Sequence, residues 1–169
     1  PMGLIPEYDS ATGMWAAPFI MAPINTKNVH RTNALLGHPY GTDFRYDEML
    51  FTSIGDAGRA MAEAIAKMNP MADSKGPKPG EGPSKEERDA GHYEIVFIAE
   101  GPDKIVRKAV VRGDRDPGYG STSKMIAEAA LLLGETDSGG GVWTPGAVMG
   151  RPLIERLVVH AGLSFARET

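Results

Sequence analysis

None of the 169 residues is cysteine, so disulfides and thiolate chemistry are excluded and the redox compartment stays open. Positive charge is in short supply. Eighteen Lys and Arg against 22 Asp and Glu leave a formal net charge of −4, which argues against a nucleic-acid backbone as the principal ligand. No apolar run approaches the ~20 residues of a membrane span, and no segment is patterned like a signal peptide. The histidines, His30, His38, His92 and His160, lack metal-ligand spacing, and no H-E-x-x-H occurs, so no metal is expected. There is no G-x-S-x-G elbow, and no G-x-G-x-x-G follows a strand. What is present is ordinary for a soluble globular protein: 41% hydrophobic and 24% charged residues. The length suits a single domain over 1–169 with a real core. The chain begins Pro1-Met2, which reads as a processed chain or a piece of a longer one.

The stretch Arg112 to Gly134 organises the rest. A charged turn, Arg112-Gly113-Asp114-Arg115-Asp116, leads into the loop Pro117-Gly118-Tyr119-Gly120. Ser121 or Thr122 can cap a helix through Lys124–Leu133, and Gly134 stops it. Only Lys124 and Glu128 are charged there, so a buried central helix is expected. Its first-turn N–H groups would then open onto a polar cavity and suit an anion; a well-capped core helix with no ligand is the competing reading. Two motif matches fail. Gly113 to Gly118 has P-loop glycine spacing, but Tyr119 stands where Lys is needed. Tyr119 and Lys124 sit one residue too far apart for a Tyr-x-x-x-Lys pair, about 140° around a helix.

Residues 1–18 read as a loop, with Trp15 and Phe19 as anchors. Phe19 to Leu36 fits a helix with Pro23 in its first turn and Gly37 at its end. Asn25, Asn28 and Thr32 share one side of it, as a solvated face or a pocket wall. His38–Asp43 is a turn. Phe44–Phe51 alternates as a strand, with Glu48 out of place on its apolar face. Ile54–Met68 is a helix with Ile54, Met61, Ile65 and Met68 along one side. Residues 70–91 are too rich in Pro, Gly, Lys and Glu for a core and read as a flexible loop. Within it, Ser84-Lys-Glu-Glu87 is a capping box for a short helix over 85–90. His92–Ala99 and Lys104–Val111 form a hairpin. Val142–Pro145 is a short strand, Pro152–His160 a helix closed by Gly162, and Leu163–Arg167 a last strand. The result is an α+β fold: a mixed, mainly antiparallel sheet of about four strands with helices packed on it, and not a Rossmann domain.

Five segments, in order, carry a resemblance. They are Trp15-Ala-Ala-Pro-Phe-Ile-Met-Ala-Pro-Ile-Asn25, His30-Arg-Thr-Asn-Ala-Leu-Leu-Gly37, Tyr40-Gly-Thr-Asp-Phe-Arg-Tyr-Asp-Glu48, Gly113 through Met125, and Gly141-Val-Trp-Thr-Pro145 with Leu153-Ile-Glu-Arg-Leu157. Together they resemble the C-terminal domain of saccharopine-dehydrogenase-like oxidoreductases, in the branch that includes trans-acting enoyl reductases. The resemblance implies a cytoplasmic two-domain enzyme that uses NAD(P) held by an N-terminal Rossmann domain, which this sequence lacks. This chain would then be the substrate-side domain, and a possible homodimer interface, for hydride transfer to an acyl, enoyl, keto or imino substrate.

On that resemblance Tyr119 and Lys124 are the catalytic candidates, Tyr119 giving or taking a proton, and Lys124 or Arg31 holding a carboxylate or polarising a carbonyl. Asn25, Arg31 and Asp116 are the substrate-binding candidates, with Arg31 able to hold a carboxylate. Asp116 before Pro117 also fits a plain turn former. No cofactor-binding residue is assigned. Basic residues are sparse in the first half, so a less polar acyl substrate suits the composition at least as well as a polycarboxylate. The competing class is a non-catalytic ligand-binding or dimerisation module.

Overall fold

The computed structural model describes residues 3–68 and 81–168. The flexible-loop expectation for 70–91 lies outside those residues over 70–80, while 81–91 are described and hold a short helix over Lys85–Ala90. Contacts cluster into two compact units, Pro1–Gly76 and Pro77–Thr169. The described residues hold six helices and two three-stranded antiparallel sheets, an α+β fold.

In the first unit, β1 (Glu7–Asp9), β2 (Met14–Pro18) and β3 (Met49–Phe51) form one sheet in the order β1-β2-β3. The reading of residues 1–18 as loop is corrected here. Asp9 closes the turn by accepting from the Thr12 N–H at 3.0 Å, and Gly13 takes φ +73°. That turn returns the chain so that Tyr8 pairs with Trp15. The Phe44–Phe51 strand shrinks to Met49–Phe51, while residues 44–48 run as irregular chain.

Helix α1 (Ala22–Leu35) follows β2. It buries Ala22, Thr26 and Asn33 and leaves Ile24 exposed, as are Ile20 and Met21 just before it. The polar residues on the buried side are satisfied locally: Thr26 Oγ1 donates to the Ala22 carbonyl at 2.6 Å, and Asn33 spans the Tyr40 N–H and the Gly41 carbonyl. Gly37 ends the helix as expected, at φ +79°, with Gly37 N–H to Ala34 O and His38 N–H to Asn33 O in a Schellman pattern.

Helix α2 (Gly55–Lys67) packs on β2. Its expected apolar side is not the side that packs: Met61 is exposed, and Gly58 and Ala62 are buried. At Gly58 the chain leading into the helix leaves no room for a side chain. A Cβ on Gly58 would stand 2.0 Å from the Ser53 carbonyl oxygen.

In the second unit, α3 (Lys85–Ala90) starts at the expected capping box, with Ser84 and Glu87 bonding reciprocally. The hairpin β4 (Tyr93–Glu100) and β5 (Val106–Gly113) continues to β6 (Leu163–Glu168) in the order β4-β5-β6. Between β5 and β6 come α4 (Gly120–Glu135), α5 (Pro145–Val148) and α6 (Gly150–His160). Val142–Thr144 is not a strand; Thr144 caps α5 instead. Leu157, Ala161 and Leu163 form a core cluster joined by Val111, Met125 and Leu153.

Two expectations for α4 are corrected: the helix is not buried, and Gly134 does not stop it, since it runs on to Glu135 with Thr136 as its C-cap. One side, Ser121, Met125, Ala129 and Leu132, is at least partly covered, and Glu128 on that side pairs with Arg156 of α6 at 2.8 Å. The other side carries Ile126, 68% exposed, Ala130 and Leu133 at helical spacing. An apolar helix with one covered face is a surface helix, whatever its mean composition.

Candidate functional site

The N-terminal end of α4 is built around Asp116. Its Oδ1 accepts the Gly118 N–H at 3.0 Å, and its Oδ2 accepts the Tyr119 N–H at 3.0 Å and the Gly120 N–H at 2.5 Å. Its backbone carbonyl accepts the Ser121 N–H at 2.8 Å. These bonds, led by Gly120, hold the Asp116 carboxyl below its ordinary pKa. The helix end is therefore not open to an external anion: the protein's own carboxylate occupies that place. The hydroxyls nearby are also engaged. Ser121 bonds Tyr93 across 2.9 Å, Thr122 donates to the Pro117 carbonyl and Ser123 to the Gly120 carbonyl.

Two elements, α3 and β4, hold this loop. Asp116 N–H donates to the Arg88 carbonyl of α3 at 3.1 Å. Arg115 pairs with Asp89, also of α3. A Cβ on Gly91 would meet the Asp116 backbone at 2.5 Å, so α3 ends where only glycine fits. Beneath the first turn of α4, Tyr93 lies across Gly113, its cross-strand partner, and reaches fully buried Ser121.

Tyr119 is the N-cap residue of α4 and is 52% exposed. Its ring stands 3.6 Å from where a Cβ on Gly82 would be. Lys124 is partly covered, and no ionic partner for it is found among the described residues. Asp116, Tyr119 and Lys124 thus belong to one helix start, with Asp116 as its clasp.

Asn25 and Arg31 lie in the first unit, on α1. Their six-residue spacing puts them about 120° apart around the helix, on different sides. Asn25 Nδ2 donates to Glu48 Oε2 at 2.8 Å, and the Tyr46 hydroxyl donates to Glu48 Oε1 at 2.8 Å. Burial first, then the hydrogen bond to Glu48 and the charges of Glu48 and Asp47, push the Tyr46 hydroxyl well above its ordinary pKa. It stays protonated and serves as a donor at neutral pH. Beside it, Phe44 meets Tyr46 at 6.2 Å, Tyr40 at 5.3 Å and His30 at 5.5 Å between ring centroids.

Glu48, Tyr46 and Tyr93 are absent from the candidates read from the sequence. Glu48 did leave a signal, as the carboxylate that broke an apolar alternation. Tyr93 left none, because its partner is 28 positions away. Among the described residues, no group of three or more His, Asp or Glu could hold a metal ion, and no helix is long and apolar enough to cross a membrane.

Comparison with known proteins adds one line of evidence. A Mycobacterium tuberculosis protein provisionally named a trans-acting enoyl reductase is 37% identical over 173 residues, covering 90% of this chain and 41% of the relative. Trans-acting enoyl reductases of Mycobacterium ulcerans and Mycobacterium bovis are 31% and 32% identical over 167 residues, covering 86% of this chain and 39% of each relative. The chain is a homologue of proteins named trans-acting enoyl reductases. It spans about two fifths of the length of these relatives. No family model matches the chain, and no solved structure matches it.

Proposed function

We propose that this chain is the substrate-side part of an NAD(P)-dependent oxidoreductase of the saccharopine-dehydrogenase-like type, acting as an enoyl reductase. The observation that carries this is the similarity to trans-acting enoyl reductases along 90% of the chain. Enoyl reduction needs a hydride delivered to the β-carbon and a proton to the α-carbon of a conjugated carbonyl. Tyr119, exposed at the start of α4, is the proposed proton donor. Lys124, without an ionic partner among the described residues, is the proposed cation that polarises the carbonyl oxygen. Asn25 and Arg31 are the proposed substrate contacts on α1, and Asp116 contributes through the loop it shapes. The nicotinamide nucleotide is assigned to a part of the protein outside this sequence, because no glycine fingerprint after a strand is present in it.

A second reading, a non-catalytic binding or dimerisation module, draws support from the exposed stripe of Ile126, Ala130 and Leu133 on α4. In the first reading that stripe is a subunit or domain contact of the enzyme. One assay separates the two. The full-length protein should oxidise NADPH in the presence of a crotonyl thioester, followed by loss of nicotinamide absorbance. Absence of turnover with retained self-association favours the module.

A further inference from the structure

We infer that β4 is the edge at which two copies of this chain pair, strand against antiparallel strand, to make one continuous sheet. The inference goes beyond the functional reading above: it holds for an enzyme and for a binding module alike, and its test needs no turnover.

In the order β4-β5-β6, β4 has β5 on one side and no strand on the other. It pairs with β5 along its whole length without a bulge. Just past its end, the Gly101 N–H donates to the Ile105 carbonyl. Bonded and non-bonded pairs alternate along an antiparallel ladder, so the backbone groups of Ile95, Phe97 and Ala99 turn toward β5. Those of Glu94, Val96 and Ile98 turn off the edge. Among the described residues no hydrogen-bond partner meets them there. Proline, lysine or a bulge commonly guards such an edge. The strand Tyr-Glu-Ile-Val-Phe-Ile-Ala-Glu has none of the three. Its side chains are also uncovered, with Ile95 47% and Phe97 40% exposed.

The strand's own charges decide the occupant. A two-fold axis through an antiparallel ladder passes through one residue, and only axes at Val96 or Phe97 keep most of β4 paired. An axis at Phe97 sets Glu94 directly opposite Glu100 of the other copy, twice, which is repulsive. An axis at Val96 sets no like charges opposite each other. Glu94 then faces Ile98 of the second copy, and Glu100 faces the exposed His92 just before its strand. Ile95 faces Phe97, and the two-fold makes that contact twice. It is the closely spaced kind of pair, with Cα atoms about 4.5 Å apart, and joins an aromatic to a β-branched side chain. Glu94 keeps its ion pair with Arg112 of β5 at 2.6 Å, so its charge is already balanced when the copies meet. One strand edge is smaller than the ~800 Å2 per partner of a standard interface, so the dimer is dissociable, roughly in the micromolar range.

The test uses the full-length protein. Sedimentation over a concentration series should show a reversible monomer–dimer equilibrium, which Ile95→Lys weakens by about tenfold. Amide hydrogen exchange reads the edge without any substitution. The Val96 and Ile98 N–H groups should exchange fast in dilute protein and about tenfold slower in concentrated protein, while the Phe97 N–H, bonded to β5, should not respond. The register is read by mixing Ile95→Cys protein with Phe97→Cys protein under mild oxidation. A separation of about 4.5 Å lies within disulfide reach, so a covalent dimer linked 95 to 97 should form. A protein that stays monomeric at high concentration overturns the inference. So does a dimer in which Val96 and Ile98 exchange independently of concentration, because its contact then lies elsewhere, as on the α4 stripe. Protected edge amides without a 95–97 link overturn the pairing about Val96.

Discussion

Asp116 and Gly120 are joined by a carboxylate–backbone hydrogen bond of 2.5 Å that closes the start of α4. It makes the aspartate the anion at its own helix N-terminus, where the macrodipole favours negative charge. Asp116→Ala should therefore lower the melting temperature at neutral pH, and Asp116→Asn should lower it less, since an acceptor remains. The carboxyl has a depressed pKa in the folded state. Its contribution is thus fully present above the unfolded-state value for Asp and is lost as pH falls through the folded one. The gap in melting temperature between wild type and Asp116→Ala should shrink in that acid range. Thermal melts across pH check it, and a constant gap down to pH ~2 contradicts this role.

Tyr119 and Lys124 are surface-accessible at this helix start, and neither belongs to the core cluster. In the full-length enzyme, Tyr119→Phe and Lys124→Met should lower kcat/KM while leaving the melting temperature near that of the wild type. Ala129, on the side of α4 that is partly covered, behaves the other way. Ala129→Leu should cost ~1–3 kcal/mol of stability through overpacking. Steady-state kinetics beside thermal melts reads both. Wild-type turnover in both polar variants would remove Tyr119 and Lys124 from the catalytic assignment.

Tyr93 supports the same turn from below. Its hydroxyl is the partner of a fully buried serine, so Tyr93→Phe should cost about 1–3 kcal/mol by stranding Ser121. Gly113→Ala should do comparable damage, because a Cβ there would stand 2.2 Å from the Tyr93 ring. Urea melts measure each cost, and a double variant tests whether the two act on one contact. Additive losses would mean that they do not.

The nucleotide assignment gives a binding prediction. The 169-residue chain by itself should show no saturable binding of NADPH by calorimetry, since no glycine turn after a strand is available for the pyrophosphate. A dissociation constant in the micromolar range would relocate the cofactor site into this chain.

Local signals in the sequence were read well where the structure depends on near neighbours. Ser84 and Glu87 form the expected box, Gly37 and Gly162 end their helices at positive φ, and the β4–β5 hairpin forms with its strands one or two residues beyond the expected bounds. The failures have different causes. β1 and β2 were invisible because a three-residue strand followed by Met14–Pro18 has too little alternation to show. The large apolar residues of α2 suggest one packed side, but Gly58 and Ala62 are the buried residues, and Gly58 sits against the Ser53 carbonyl of the chain that leads into the helix. At the candidate site, Asn25 and Asp116 were legible as polar residues in suggestive places. Their partners Glu48 and Gly120 were not assigned to them.

By itself the sequence determined the α+β class, the ends of α1 and α6 at Gly37 and Gly162, the start of α3, the hairpin and the lack of a nucleotide fingerprint. Each depends on composition or on residues a few positions apart, where backbone torsions and capping chemistry act. Only the tertiary structure decided that α4 shows an apolar face to the outside, that its N-terminus is filled by Asp116, and that Glu48 fixes Asn25. Those outcomes depend on which surfaces meet, and on which donor finds which acceptor across 23 positions of chain. A period or a propensity in the sequence carries no record of either.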